Sequence, residues 1–207
     1  LDASAPQGQA LAAESALPPP TPPAPLDEAP PAAPRRHGVV IESAVGALGF
    51  AGSFGGVAPP AFHFGASLGY EPWRWLMVFA YGELALTDTS VRQGPTQKRG
   101  LPFFGFGGGL RGTVHLTERV ALALEARAGA LQADVPSGAL ANLGYPELES
   151  LGLAVGGRLL LEWYQVDPHL AFVASGGSRY GFSFRRGATD AGPPLLWEAA
   201  LGLRYTF

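Results

Sequence analysis

From position 38 to the C-terminus, apolar residues recur at every second position, the period of a β-strand with one apolar face. Residues 120–131, VALALEARAGAL, show it most cleanly: Val120, Leu122, Leu124, Ala126 and Ala128 share one parity, Glu125 and Arg127 the other. Residues 195–207 repeat the pattern, with Leu195, Trp197, Ala199, Leu201, Leu203, Tyr205 and Phe207 against Glu198, Gly202, Arg204 and Thr206. The same alternation runs through 61–71, 102–116, 151–163 and 169–182, and less cleanly through 38–50 and 75–87. In 75–87, Met77, Phe79 and Tyr81 carry the parity of Glu83, which predicts an intervening bulge.

Eight strands of about 10 to 13 residues follow, as long as the roughly 9 to 11 that cross a bilayer with tilt. Their connections alternate in length: short at 71–74, 117–119 and 164–168, longer and polar or Gly/Pro-rich at 51–60, 88–101, 132–150 and 183–194. That alternation describes an up-and-down barrel.

Period alone fits a soluble barrel as well, but the composition of the second face does not. Instead of Lys, Thr and Asn it carries Gly, Ala and Ser with a balanced set of charges: Glu42, Glu83, Glu125, Glu162 and Glu198 against Arg111, Arg127, Arg158, Arg179 and Arg204. Five of each sign suit a narrow interior in which charges must be paired, with Gly65, Gly69, Gly105, Gly107, Gly109, Gly156 and Gly202 leaving room for arginine. The expected fold is an all-β, eight-stranded antiparallel up-and-down transmembrane β-barrel whose apolar face meets lipid. Aromatics fall into two belts, as at membrane interfaces. Tyr70, Trp73, Trp75, Trp163, Tyr164, Tyr205 and Phe207 lie near the short turns; Phe50, Phe62, Phe104, Tyr180, Phe182 and Trp197 lie near the long loops.

Composition adds exclusions. Charged residues are 15% of 207, below the roughly 25% of a soluble domain, and the net charge is -3 with Lys98 the sole lysine. No basic stripe is available for nucleic acid. Without cysteine there is no disulfide, thiolate metal site, catalytic thiol or lipidated cysteine. No apolar window of about 18 residues could form a transmembrane helix, and the first ten residues lack the basic start and apolar run of a signal peptide. Ten of the 20 prolines fall in residues 1–37. This Pro/Ala-rich segment reads as a tail, polyproline II or disordered, apart from the barrel at 38–207. Twenty such residues would reach roughly 60 Å.

The chain ends Leu201-Gly202-Leu203-Arg204-Tyr205-Thr206-Phe207. A terminal aromatic preceded by apolar residues at alternate positions resembles the C-terminal signal of bacterial outer-membrane barrels. Leu201, Leu203, Tyr205 and Phe207 stand where the barrel-assembly machinery would read it. Over 38–207 the chain resembles the small eight-stranded families typified by OmpA, OmpX and OmpW, which carry no comparable Pro-rich tail. The resemblance implies an outer-membrane location with lipid and lipopolysaccharide as surroundings; the tail, which departs from the pattern, is expected to extend into the periplasm.

Candidate chemistry is sparse. Gly107 to Gly112 fits the dinucleotide fingerprint G-x-G-x-x-G, but inside an alternating strand with no helix to follow. His63 and Ser67 share a face, as a lipid A-modifying hydrolase would require, but with lumen parity and no nearby Asp. The four histidines, His37, His63, His115 and His169, show no metal-ligand spacing, and no metal or cofactor is expected. Arg92, Lys98, Arg99, Arg185 and Arg186, in two long loops, are candidates for lipopolysaccharide phosphates. The expected function is non-enzymatic: a structural or assembly subunit of an envelope complex, such as motility (gliding) or secretion machinery, whose tail binds a periplasmic protein. The alternative is a surface module for adhesion or lipopolysaccharide contact; a lipid A-modifying enzyme comes third.

Overall fold

The computed structural model describes residues 38–89, 100–186 and 193–207. Its strands are β1 (Val39–Phe50), β2 (Ala61–Trp73), β3 (Leu76–Asp88), β4 (Gly100–His115), β5 (Val120–Ala133), β6 (Gly152–Tyr164), β7 (Leu170–Gly181) and β8 (Leu195–Thr206). They pair antiparallel in chain order, and β1 also pairs with β8, closing the ring. Closure leaves no sheet edge, so the backbone groups of every strand find partners within the sheet.

Alternation sorts the two faces as their chemistry requires. Outside, Leu124, Leu159 and Leu201 are 64%, 65% and 67% exposed. A continuous apolar exterior of this kind belongs in lipid. Inside lie the glutamates and arginines. Exposed Trp73 and Trp75 stack at 5.7 Å beside the β2–β3 turn, and Tyr205 and Phe207 meet edge to face at 4.9 Å. Two aromatics assigned to the belts turn inward instead: Phe50 packs into a buried cluster, and Tyr164 follows Glu162 by two positions and shares its lumen face.

No bulge interrupts β3. Its register runs unbroken from Leu76 opposite Gly112 to Asp88 opposite Gly100, and the irregularity falls between Tyr70 and Trp73 of β2. Met77 and Phe79 are therefore buried in the lumen with Glu83, and Tyr81 is half-buried beside them. The facing glycines make this possible. A Cβ on Gly109 would lie 2.6 Å from Phe79 Cζ, and one on Gly107 2.9 Å from Tyr81 Cε1. Those glycines were expected to accommodate arginine and accommodate rings. Glu71, expected in a turn, lies within β2 and faces inward.

The long-loop end is sealed. Phe54, from a short 3-10 turn (Ser53–Gly56), has ring centroids 5.0 Å from Phe50, 5.0 Å from Tyr145, 5.2 Å from Phe184 and 6.1 Å from Phe103. Leu48, Leu101, Leu131, Leu140, Leu148 and Leu196 complete this apolar plug. The connection between β5 and β6 supplies Leu140, Tyr145 and Leu148 from around two 3-10 turns (Ala141–Leu143 and Pro146–Glu149). Its latch is Glu149, whose carboxylate accepts the backbone N–H groups of Gly138 at 2.7 Å, Leu140 at 2.7 Å and Ala141 at 3.0 Å. The bond from Gly138 leads in holding this carboxyl below its ordinary pKa, with those from Ala141 and Leu140 adding to it.

Phe54→Ala should cost about 3–5 kcal/mol by cavity formation, read from urea unfolding of the barrel in lipid vesicles. Because the folded pKa of Glu149 is depressed, the latch is at full strength above the ordinary carboxylate range and is lost as pH falls through the lowered value. Hydrogen-exchange protection factors at Gly138, Leu140 and Ala141 should hold down to that range and collapse below it. In Glu149→Ala they should be low at every pH.

Candidate functional site

The polar feature that dominates the barrel is its lumen. A strand interior brings every second side chain to the axis, so all six acids and all five arginines arrive there by parity alone, Glu71 from the far end of β2. Among the described residues the inner charges are Glu42, Glu71, Glu83, Glu125, Glu162 and Glu198 with Arg111, Arg127, Arg158, Arg179 and Arg204, all at most 8% exposed.

They form one continuous ladder. Arg111 is its hub: it reaches both Glu42 oxygens at 2.7 and 3.0 Å, Glu125 Oε2 at 2.9 and 3.1 Å, and Glu162 Oε1 at 3.3 Å. Arg158 donates to Glu125 at 2.7 and 3.0 Å and lies 3.6 Å from Glu42. Toward the plug, Arg179 donates to Glu83 at 2.5 and 3.0 Å and lies 3.2 Å from Glu198, which also pairs with Arg127. Toward the short turns, Arg204 bridges Glu162, at 2.5 Å, and Glu71, while the Tyr164 hydroxyl donates to Glu162 at 2.5 Å. Two guanidiniums also lie over rings, Arg111 5.8 Å from Phe79 and Arg127 5.2 Å from Tyr81. Cation–π contact thus gives the inward aromatics an electrostatic role as well as a packing one.

All ten charges expected in the lumen are brought together there. Glu71, Tyr81 and Tyr164 were missed, although Glu71 shares the parity of His63, Gly65 and Ser67, which was the signal for it.

His63 and Ser67 both line a small polar cavity of about 20 Å³, with Glu42, Tyr81, Glu83, Arg127 and Arg158 among its walls. His63 Nε2 lies 3.1 Å from Glu83 Oε2, so the histidine has an acid partner from a strand that sequence proximity did not reveal. The group sits inside the barrel, however, whereas a lipid substrate approaches the outer face. His63, Glu83 and Glu198 also place one potential metal-ligand atom each within 4.8 Å of one another. A cation there would meet the guanidiniums of Arg179 and Arg127, which already bind those carboxylates. The arrangement serves charge pairing better than metal binding.

The remaining candidates lie elsewhere. Leu201, Leu203, Tyr205 and Phe207 project outward from the end of the chain and are exposed. Arg185 and Arg186 are exposed just beyond β7. Arg92, Lys98 and Arg99, and the tail 1–37, fall outside the described residues. Gly107 to Gly112 lie wholly within β4, which removes the turn that a dinucleotide motif needs.

No protein-family model matches the sequence, and no curated protein matches it. Among solved structures, Neisserial surface protein A (NspA) is similar with a TM-score of 0.58 at 16% identity, over 82% of this chain and 97% of that one. The fold is that of the small bacterial outer-membrane β-barrels. Two further similar structures are Ail of Yersinia pestis (TM-score 0.41, 20% identity, 82% of this chain and 99% of that one) and the outer membrane enzyme PagL (TM-score 0.43, 12% identity, 81% and 99%).

Within this barrel the ladder should behave as a unit. Arg111→Met leaves Glu42 and Glu125 with Arg158 alone between them in a low-dielectric interior and should cost about 3–5 kcal/mol, with a corresponding fall in the temperature of the heat-modifiable gel transition. Gly156→Val should block closure outright, because any Cβ there falls 2.6 Å from Arg179 Cα and 2.8 Å from Arg179 Cγ. The readout is absence of the compact gel band after refolding.

Proposed function

We propose that this chain is a non-enzymatic barrel of the bacterial outer membrane that acts as the fixed subunit of an envelope assembly. Residues 1–37 would extend into the periplasm to hold a protein partner. The observation that supports this most is the filled lumen. An eight-stranded ring has room for little beyond its own side chains; here these are interlocked ion pairs beneath an apolar plug. Neither solute conduction nor lumenal catalysis fits such an interior, so the useful surfaces are the ends and the tail.

In this reading the short turns and the N-terminus face the periplasm, since long loops point outward in barrels of this kind. The C-terminal Leu201, Leu203, Tyr205 and Phe207 serve recognition by the barrel-assembly machinery, and lipid and lipopolysaccharide surround the apolar face. The Pro-rich composition of 1–37, with its capacity for extended reach, is what favours a tethering role. In this reading the assembly is one of the motility, including gliding, or secretion type. A second reading, surface adhesion or lipopolysaccharide contact through the loops, is favoured by the built conformation of the β5–β6 connection, latched by Glu149. A lipid A-modifying activity is not supported by His63, which is buried at 2% exposure inside the barrel.

Full-length protein purified from its native outer membrane should retain a periplasmic protein that is lost on deletion of residues 1–34 while the barrel still folds. Unchanged association after the deletion would overturn the tethering role. Reconstituted in planar bilayers, the barrel should add no stable conductance above the lipid baseline.

A further inference from the structure

At the long-loop rim, one charge stands apart from the internal ladder. Arg185 follows the short 3-10 turn (Phe182–Phe184) at the end of β7, and its guanidinium is exposed. It lies over the Tyr180 ring, 5.6 Å from the centroid, and donates an N–H to the Tyr180 hydroxyl. Tyr180 itself packs edge to face on Phe182 at 4.8 Å. In the β7–β8 register Tyr180 faces Leu195, and Ser178 faces Trp197 one step nearer the barrel middle. Phe182 and Trp197 are both exposed on the outer face. A fixed cation thus rests on an aromatic shelf at the upper edge of the apolar exterior, the depth at which lipid headgroups begin.

The chemistry of the shelf specifies its ligand. A guanidinium has five N–H donors, and within the described residues both contacts of Arg185 are to Tyr180, leaving most donors available. Ring and hydroxyl hold the side chain in place, which lowers the entropy lost on binding. The next residue adds charge: Arg186, also exposed, lies along Gly144, whose φ of 92° and missing Cβ let the stem pass where a Cβ would be 2.9 Å from Arg186 Cγ. Planar donors at headgroup depth match the oxygens of a phosphate monoester.

We propose that Arg185, held by Tyr180 and supported by Arg186, is a binding site for the phosphate of an anionic lipid of the outer leaflet. This rests on the outer-membrane reading above, and it names a contact that reading does not require. Lipid, rather than a soluble anion, is the occupant, because the shelf continues directly into the apolar exterior through Phe182, Leu195 and Trp197. The acyl chains of the same molecule would lie against that surface.

The full-length chain is refolded into phosphatidylcholine nanodiscs with and without lipid A, and the midpoint of its heat-modifiable transition is measured. Lipid A should raise the midpoint of the wild type. Arg185→Gln should lose at least half of that rise, Arg185→Lys should retain part of it, and Tyr180→Phe should fall between Arg185→Gln and the wild type. Inorganic phosphate at the same phosphorus concentration should give no rise. A full rise in Arg185→Gln, no rise in the wild type, or an equal rise with inorganic phosphate would each overturn the proposal. A chain that enters neither bilayer shows no heat-modifiable band at all, which overturns the membrane reading itself and this site with it.

Discussion

A ring of eight strands has an interior too narrow for bulk water, so a charge placed on its inner face must find its counter-charge among the other inner residues. Every other property of this barrel is arranged around that requirement. Arg111 is 0% exposed and touches three glutamates; alone in such a place it would be prohibitively costly, and among its partners it becomes the centre of the molecule. The inward rings of Phe79 and Tyr81, seated against the lumen glycines, and the apolar plug at one end fill the volume left by the ladder. What remains for the outer face is uniform: apolar side chains with aromatics toward the two ends.

Much of this was legible in the chain because a barrel converts sequence parity directly into inside and outside. Residues 120–131 needed only their alternation to place Glu125 and Arg127 within and Leu122 and Leu124 without. The same rule failed where parity and hydrophobicity conflicted. Met77, Phe79 and Tyr81 looked like lipid-facing residues displaced by a bulge, because no local signal reveals that Gly109 and Gly107, some 30 positions away, stand opposite Phe79 and Tyr81. Cross-strand shape complementarity is a pairwise property, and one strand carries only half of it. Phe50 and Tyr164 were misplaced for a related reason, since position near a strand end was read as belt membership without regard to parity.

Pairing within the lumen was less accessible still. Composition shows that acids and bases balance, but the partner of each depends on the barrel cross-section. Glu83 could have served any of several arginines; it meets Arg179 from four strands away, together with His63 from the adjacent strand. The plug was invisible for a different reason. Phe54, Tyr145 and Phe184 sit in loops where no period exists, and only their convergence over the mouth makes them a core.

The long sequence separation of the ladder's partners bears on how the barrel comes to be. Arg204 meets Glu71 across 133 positions, Arg179 meets Glu83 across 96, and Arg127 meets Glu198 across 71. None of these contacts can exist in a sheet that has not yet curled, because the partners approach one another across the closed ring. An open, half-inserted sheet would present bare guanidiniums and carboxylates to hydrocarbon. Closure of the cylinder is therefore what pairs these charges, and the cost of leaving them bare in hydrocarbon weighs against every partly open ring.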